Sequence, residues 1–343
     1  MSGGAQTMEA AVIREHGQLA VEERPVPELR SSTDVLLDVE GCGICGTDLH
    51  ILSDPPQQPA TVGAILGHEF IGRVRAVGED VADLEPGTRV AVAPNLSCGQ
   101  CAWCRRGLRN HCAHWTTHGI YIDGGLARHV VVRASSCFPI DDRIPTPIAT
   151  LVEPLSAVVG GVRLAQPLPG ETVAVIGGGP VGLMFAALFK LAGATVVVIE
   201  PSEDRARLAV EMGADEVVHP DDEPVSHVQA LSESLGADVV VDAVGSQLAT
   251  ALDLVRKAGR VVLFGMNERA HTDLAQIRIT RDELQLFGAF VGQDVFPDAI
   301  RLIEQGRLRL EPLVTHRITL PELPGAVTEL RDGRAVKVQV QLS

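Results

Sequence analysis

The chain has 343 residues, 45% of them hydrophobic and 21% charged, and a formal net charge of −15. That length implies about two domains of ordinary globular composition, and a surface of that sign repels phosphate backbones and anionic lipid, so neither nucleic acid nor membrane is an expected partner. No apolar run approaches the ~20 residues that cross a bilayer, and the start MSGGAQTMEAAVIREHGQ has no basic-then-apolar leader, so a cytoplasmic protein is expected.

Residues 10–140 carry short apolar runs between turn residues. VLLDVEG, GRVRAVGEDV and TRVAVAP are examples, the last entered through Pro86-Gly87, and together they read as a mostly β domain. Near Gly170 the pattern changes. ETVAVIGGGPVGLMFAALFKLAGATVVVIE reads as a strand, a glycine turn, a helix and a second strand. EDRARLAVEMGA predicts a helix, ADVVVDAVG a strand, ATALDLVRKAG a helix and RVVLFG a strand. LQLFGAF predicts a last strand, suited to an edge. FPDAIRLIEQGRL is helical with Pro297 in its first turn, and VTHRITL and KVQVQLS return to β. Strands alternating with helices imply a parallel, doubly wound sheet. The expectation is an α/β two-domain protein: residues 1–152 a β domain, 153–291 the doubly wound domain, and 292–343 a segment completing the first.

Gly177-Gly178-Gly179-Pro180-Val181-Gly182 contains G-x-G-x-x-G directly after a strand and at the opening of a helix, the setting in which that motif binds a dinucleotide. Gly177 allows the tight turn, Gly179 lets a pyrophosphate approach the backbone, and Gly182 lets helix and strand pack closely. Pro180 and Val181 open the helix whose free N–H groups face the phosphates. Glu200 ends the next strand, 18 residues after Gly182. An acid there hydrogen-bonds an adenosine ribose diol and repels a 2′-phosphate, favouring NAD over NADP. Arg205 could stack on adenine or soften that repulsion.

Seven cysteines, an odd number, all lie at or before Cys137. In a chain without a leader this favours metal ligation over a disulfide framework. Cys98, Cys101, Cys104 and Cys112 lie on one loop, and four thiolates close a tetrahedral zinc site with no open position, a structural site. Arg105, Arg106 and Arg109 in the loop help depress the thiol pKa values. In GCGICGTDLH, Cys42 and Cys45 lie three apart. Either they form a redox pair, which belongs at a helix start in a βαβ setting, or one of them joins His68 and a glutamate, Glu69 or Glu153, around a second zinc. Three protein ligands leave a fourth position open, the arrangement of a catalytic zinc.

Taken together, GICGTDLH, GHE, the four-cysteine loop, EPLS, GGGPVG and the β tail resemble the zinc-dependent medium-chain alcohol and polyol dehydrogenases over nearly the whole chain. The resemblance implies a GroES-like β-barrel catalytic domain and a Rossmann NAD(P) domain. It implies Cys45 of GICG as a zinc ligand, Cys42 outside the coordination sphere, and His68 of GHE as the second ligand. The family's simple alcohol dehydrogenases use another cysteine as third ligand. This chain has none after Cys137, and Glu153 stands in that region, which points to the branch of sorbitol, glucose and threonine dehydrogenases, with Glu69 or Glu153 as the carboxylate. The family pattern also implies that Thr47 contacts the substrate oxygen, that His50 relays its proton, and that Asp48 orients the ligating imidazole.

The implied activity is reversible oxidation of a secondary alcohol to a ketone, on a polyol, sugar, cyclitol or amino alcohol. A threonine-like hydroxy amino acid is the alternative substrate. Two zinc ions per subunit, one catalytic and one structural, NAD, and a homodimer or homotetramer complete the expectation. Trp115, Ile120 and Tyr121 are candidate pocket residues. A non-catalytic zinc- and nucleotide-binding protein would have no need of Thr47 and His50 beside an open metal position.

Overall fold

The computed structural model describes residues 6–292 and 294–342. The chain divides into two compact units. The first takes residues up to Pro154, Ala299–Gln305, and the tail from Val314; the second takes Leu155–Asp298 and Gly306–Leu313.

The first unit opens with β1 (Thr7–Ile13) and β2 (Leu19–Pro25), an antiparallel pair. β3 (Asp34–Gly43) follows, then the short helix α1 (Gly46–Ile51), β4 (Glu69–Val77), β5 (Arg89–Val92), β6 (Asn95–Leu96) and β7 (Thr116–Thr117). β8 (His129–Arg133), β9 (Cys137–Pro139) and α2 (Thr146–Ala149) lead to α3 (Val152–Ala165), which carries Glu153 in its first turn. β3 shows why this region is sheet: Val35, Leu37 and Val39 are buried while Leu36, Asp38 and Glu40 are half-buried. That alternation puts one face on the core.

In the second unit come β10 (Thr172–Ile176), α4 (Pro180–Leu191), β11 (Thr195–Ile199), α5 (Glu203–Glu211) and β12 (Glu216–Val218). They are followed by α6 (Pro224–Leu231), β13 (Ala237–Asp242), α7 (Leu248–Leu254), β14 (Val255–Leu263), α8 (Gln276–Arg281) and β15 (Gln285–Gly288). The six strands form one sheet in the order β12-β11-β10-β13-β14-β15, and every pairing is parallel. Val173, Val175, Val196–Val198 and Val239–Val241 are fully buried, as strands covered on both faces require. Strand order reverses between β10 and β13, which makes the carboxyl ends of those strands the switch point where open α/β sheets bind ligands. LQLFGAF supplies β15 at the sheet's edge.

One sequence expectation fails here. The helix expected over ATALDLVRKAG stops at Leu254, and Val255 is extended and opens β14. The ladder with β13 shifts register between Ala237 and Val239, so residues 256–259 bulge from it, with Ala258 at φ +55°. Arg256 anchors the bulge, its Nε donating to Asp238 Oδ1 at 2.6 Å. Tertiary pairing of a β-branched residue overrides a helix-like local pattern.

The tail supplies α9 (Phe296–Glu304), β16 (Val314–Thr319), α10 (Leu323–Arg331) and β17 (Lys337–Gln341). A seven-stranded sheet runs β16-β17-β3-β4-β5-β9, with β8 also on β3. The last strand is thus inserted beside β3, pairing Gln339 with Gly43 and Val340 with Cys42. Val35, Leu37, Phe70, Val90, Val132, Val338 and Val340 form part of its core. No helix of the described residues is long and apolar enough to cross a membrane.

Candidate metal centres and nucleotide site

The GICGTD stretch becomes a strand end and a helix start. Cys45 caps α1, its N–H donating to Asp48 Oδ2 at 2.8 Å while its side chain accepts from the Asp48 backbone. This reciprocal pair does the work of a capping box with cysteine in place of serine. A redox reading of Cys42 and Cys45 calls for a helix start in a βαβ setting; here a helix start is present, but it follows a strand of an antiparallel ladder. What removes that reading is Cys42 itself: it is fully buried on β3, its thiol donating to the Gly43 carbonyl at 3.4 Å. Burial, then the charges of Asp48 and Glu69, push that thiol well above its ordinary pKa, so it is not a reactive thiolate.

The antiparallel register of β3 and β4 sets Gly43 opposite Glu69 and Cys42 opposite Phe70. Gly43 is glycine for a reason: an added Cβ would collide with the Glu69 carboxylate. Gly67 sits at φ +95°, where a Cβ would meet Cys42 Sγ and Leu126, and this turn delivers His68. One ligand atom from each of Cys45, His68 and Glu69 lies within 4.8 Å of the others. His68 Nδ1 lies 3.4 Å from Asp48 Oδ1, an electrostatic contact rather than a well-aligned hydrogen bond. Burial works against the His68 cation, but the nearby Asp48 charge, with a contribution from Cys45, lifts its pKa well above the ordinary value. Glu69 Oε1 is buried with no hydrogen-bond partner among the described residues. An orphaned carboxylate oxygen beside a thiol and an imidazole is the donor set that zinc completes.

Glu153 does not belong to that close set. Its carboxyl still responds to it: burial first, then the charge of Glu69, push it up to about 7 against the opposing pull of His68. Thr47 is half-buried, its Oγ1 3.8 Å from Cys45 Sγ, and His50 is exposed on the last turn of α1. Of the pocket candidates, Ile120 is buried, and Trp115 and Tyr121 are half-buried with their rings in an edge contact at 6.0 Å.

Lys337 was not signalled by any motif. It is 3% exposed, its Nζ donating to the Ile44 carbonyl at 2.9 Å and pairing with Glu69 Oε2. In KVQVQ it reads as an outward strand residue. Only the pairing of β17 with β3 reveals that it points inward.

The second cluster is local. All four sulfurs of Cys98, Cys101, Cys104 and Cys112 lie within 4.8 Å of one another. Cys101 Sγ is 3.5 Å from Cys104 Sγ and 3.9 Å from Cys112 Sγ, close to the ~3.8 Å tetrahedral edge that Zn–S bonds of ~2.3 Å require. No disulfide is present. Backbone N–H groups of Cys98 and His114 donate to Cys112 Sγ, and that of Cys101 to Cys98 Sγ. Such donors stabilise thiolates: backbone hydrogen bonds pull Cys101 down to about 6, while burial and neighbouring sulfurs push Cys104 up to about 11. The residues fit a closed zinc site.

In the second unit, the glycine turn joins β10 to α4. Gly177 has φ +100°, and a Cβ on Gly182 would collide with the Gly177 carbonyl, whereas a Cβ on Gly179 would meet nothing. Gly179 thus has an open side, the room that a pyrophosphate approach requires. Gly179 caps α4, Pro180 is its first residue, and Val181 follows in the first turn. Glu200 is buried, its carboxylate accepting from Gly178 N–H at 2.6 Å and Ser202 N–H at 2.8 Å. Arg205 lies on α5, its Nε buried without a hydrogen-bond partner among the described residues.

A cavity of about 790 Å³ lies elsewhere in the first unit, lined by Arg73, Arg75, Arg89, Arg128 and Arg143. Four of these guanidiniums are already paired with Glu40, Asp38, Asp142 or Asp141, so it offers no comparable chemistry.

Residues 31–142 match the alcohol dehydrogenase GroES-like domain and residues 180–305 the zinc-binding dehydrogenase domain. D-arabinitol dehydrogenase 1 of Uromyces fabae is 34% identical over 316 residues, 90% of each chain. L-threonine 3-dehydrogenase of Pyrococcus horikoshii is 34% identical over 319 residues, 90% of this chain and 91% of its own. A protein of Sinorhizobium meliloti 1021 solved with NADP superposes with a TM-score of 0.92 at 33% identity, covering 98% of this chain and 99% of that one. The chain belongs to the zinc-dependent medium-chain alcohol and polyol dehydrogenase family. Its fold is accordingly a GroES-like domain with a Rossmann domain, and it is an oxidoreductase that uses zinc and a nicotinamide cofactor to oxidise secondary alcohols.

Proposed function

We propose that Cys45, His68 and Glu69 hold the catalytic zinc and that Cys98, Cys101, Cys104 and Cys112 hold a second, structural one. The observation that carries the catalytic site is the approach of three unlike donors within 4.8 Å around the orphaned Glu69 Oε1. Glu153 stands behind them as a carboxyl that responds to the same charges. Zinc bound there supplies Lewis acidity that makes a substrate hydroxyl more acidic. Asp48 fixes the His68 ring through Nδ1. Thr47 Oγ1 would accept the hydroxyl proton while giving up its own, and exposed His50 would pass a proton on to water. The Gly177–Gly182 turn would hold the pyrophosphate of the nicotinamide cofactor, which would supply the hydride acceptor.

The catalytic domain on this reading is residues 1–152 with 292–343, around a nucleotide domain of 153–291. NAD is the preferred cofactor on this reading, because an acid at the end of β11 would repel a 2′-phosphate. The assembly is a homodimer or homotetramer, with β15 as an available edge, and unpaired thiols suit a reducing cytoplasm.

The substrate is the secondary alcohol of a polyol, sugar or cyclitol, supported by the carboxylate in place of a third cysteine ligand and by the arabinitol relative. A β-hydroxy amino acid is the second reading, supported by the threonine relative. A panel of pentitols, hexitols, cyclitols and L-threonine, assayed by absorbance of reduced nicotinamide with NAD and with NADP, separates them. Turnover on polyols with NAD is expected. Turnover confined to threonine would select the second reading, and none on any secondary alcohol would defeat both.

A further inference from the structure

A lysine is almost never buried unless it is paired. Lys337 is buried, and its partner is one oxygen of a carboxylate whose other oxygen has no hydrogen bond among the described residues. Three observations define its place. The β17–β3 ladder pairs Gln339 with Gly43, and the Ile44 N–H donates to the carbonyl of Val338, the residue after Lys337, so the strand brings Lys337 up to the metal-ligand segment. The Ile44 carbonyl takes another of its protons at 2.9 Å. Gly43, with no Cβ, opens the space in which Glu69 meets it. Cys45 and Glu153 add negative charge near Lys337, and Asp48, fully buried, lies against His68, so the site gathers more carboxylates than a dication with a thiolate needs.

We propose that Lys337 is a positioning residue that apportions Glu69: by holding Oε2 it leaves Oε1 alone for the zinc, and it offsets one carboxylate charge so that the ion keeps its acidity toward the substrate hydroxyl. This rests on the reading that Cys45, His68 and Glu69 hold zinc. Zinc with one thiolate and one carboxylate is formally neutral, and a neighbouring ammonium returns one positive charge. Without that ammonium both Glu69 oxygens are free to turn to the metal, and a like charge is removed from beside a dication. The metal is then held more tightly and is less acidic.

The test compares wild type, Lys337→Met, Lys337→Arg, Glu69→Gln and the double variant Lys337→Met/Glu69→Gln as zinc-loaded and catalytic-site cobalt-loaded proteins. Two readouts are taken: the visible cobalt spectrum and the rate of catalytic-metal loss to a chelator. Lys337→Met is expected to shift the cobalt bands and to slow metal loss about tenfold or more, and Lys337→Arg to keep the wild-type spectrum. In the Glu69→Gln background the Lys337→Met spectral shift should vanish, because no carboxylate is left to release. An unchanged spectrum and loss rate in Lys337→Met, or an equal shift in both backgrounds, overturns the proposal. If Lys337→Met does not fold, Lys337→Gln, which keeps a donor but no charge, carries the same comparison in the same direction. A Cys45→Ala control separates the two levels: if it still binds two metals, the zinc reading itself fails, whereas its loss of one metal together with a silent Lys337→Met defeats only the role of Lys337.

Discussion

The two cysteine-bearing sites are opposites in construction. The four-cysteine loop gathers all its donors from residues 98–112, close to the surface, and backbone N–H groups of the same loop and of His114 complete it. The other site draws on the end of β3, the turn before β4, the first turn of α3 and the last strand, and it buries Asp48, His68, Glu69 and Lys337 together. A closed cluster asks only that one loop fold around an ion. An open one needs a sheet to bring distant charges into register and to hold them short of neutralising one another. A closed site suits stability and an open one suits chemistry, so on the proposed reading each should be breakable without the other.

The largest effect is expected from Cys45→Ala. Removing the thiolate leaves an imidazole and a carboxylate already claimed by Lys337, so the catalytic metal should be lost and turnover should fall about a thousandfold or more. Thermal stability should stay near wild type, because no four-sulfur cluster is touched. Metal content should drop by one ion per subunit. Retained turnover would show that the two sites do not divide their labour in this way.

Cys101→Ala breaks the comparison from the other side. Cys101 sits in the middle of the sulfur cluster and has the most acidified thiol there, held at about 6 by backbone hydrogen bonds from Cys104 and Ala113. Its loss should empty the closed site and lower the unfolding free energy by about 3 kcal/mol, the scale of losing a bound metal. Turnover per folded molecule should remain within about tenfold. Thermal unfolding together with metal analysis decides it: unchanged stability with one zinc lost would make the loop a passenger.

The same contrast explains what could be read from the sequence. The closed site was readable because its signal is spacing, and spacing survives without a fold. The glycine turn was readable for a similar reason: Gly177, Gly179 and Gly182 act locally, through a left-handed φ, an open approach and a tight crossing. For the open site, Cys45 and His68 came from motif resemblance, but the choice between Glu69 and Glu153 depends on which strand faces which, and no local pattern contains that. Lys337 was invisible for the same reason, 268 residues from its partner. At VRKAG the local pattern misled, because Val255 pairs with Ala237 of β13 and carries the residues after it out of the helix.

The smallest expected effect lies in the second unit and tests whether the nucleotide site resembles the closed or the open kind. Glu200 is held by the turn it serves, accepting from Gly178 and Ser202, so Glu200→Ala removes both a local brace and the group proposed to face the ribose. Glu200→Gln retains an acceptor but not the charge. If charge sets cofactor choice, both variants should move the ratio of kcat/KM for NAD over NADP toward NADP by about tenfold, the worth of one charge-assisted hydrogen bond. Arg205, whose Nε has no hydrogen-bond partner among the described residues, would then be available to the 2′-phosphate, and adding Arg205→Ala should return most of that shift. If the brace matters more, Glu200→Ala should weaken both cofactors alike while Glu200→Gln leaves them near wild type. That outcome would make Glu200 a support for the glycine turn, in the way that Lys337 is proposed to support Glu69, and would withdraw it as the determinant of NAD preference.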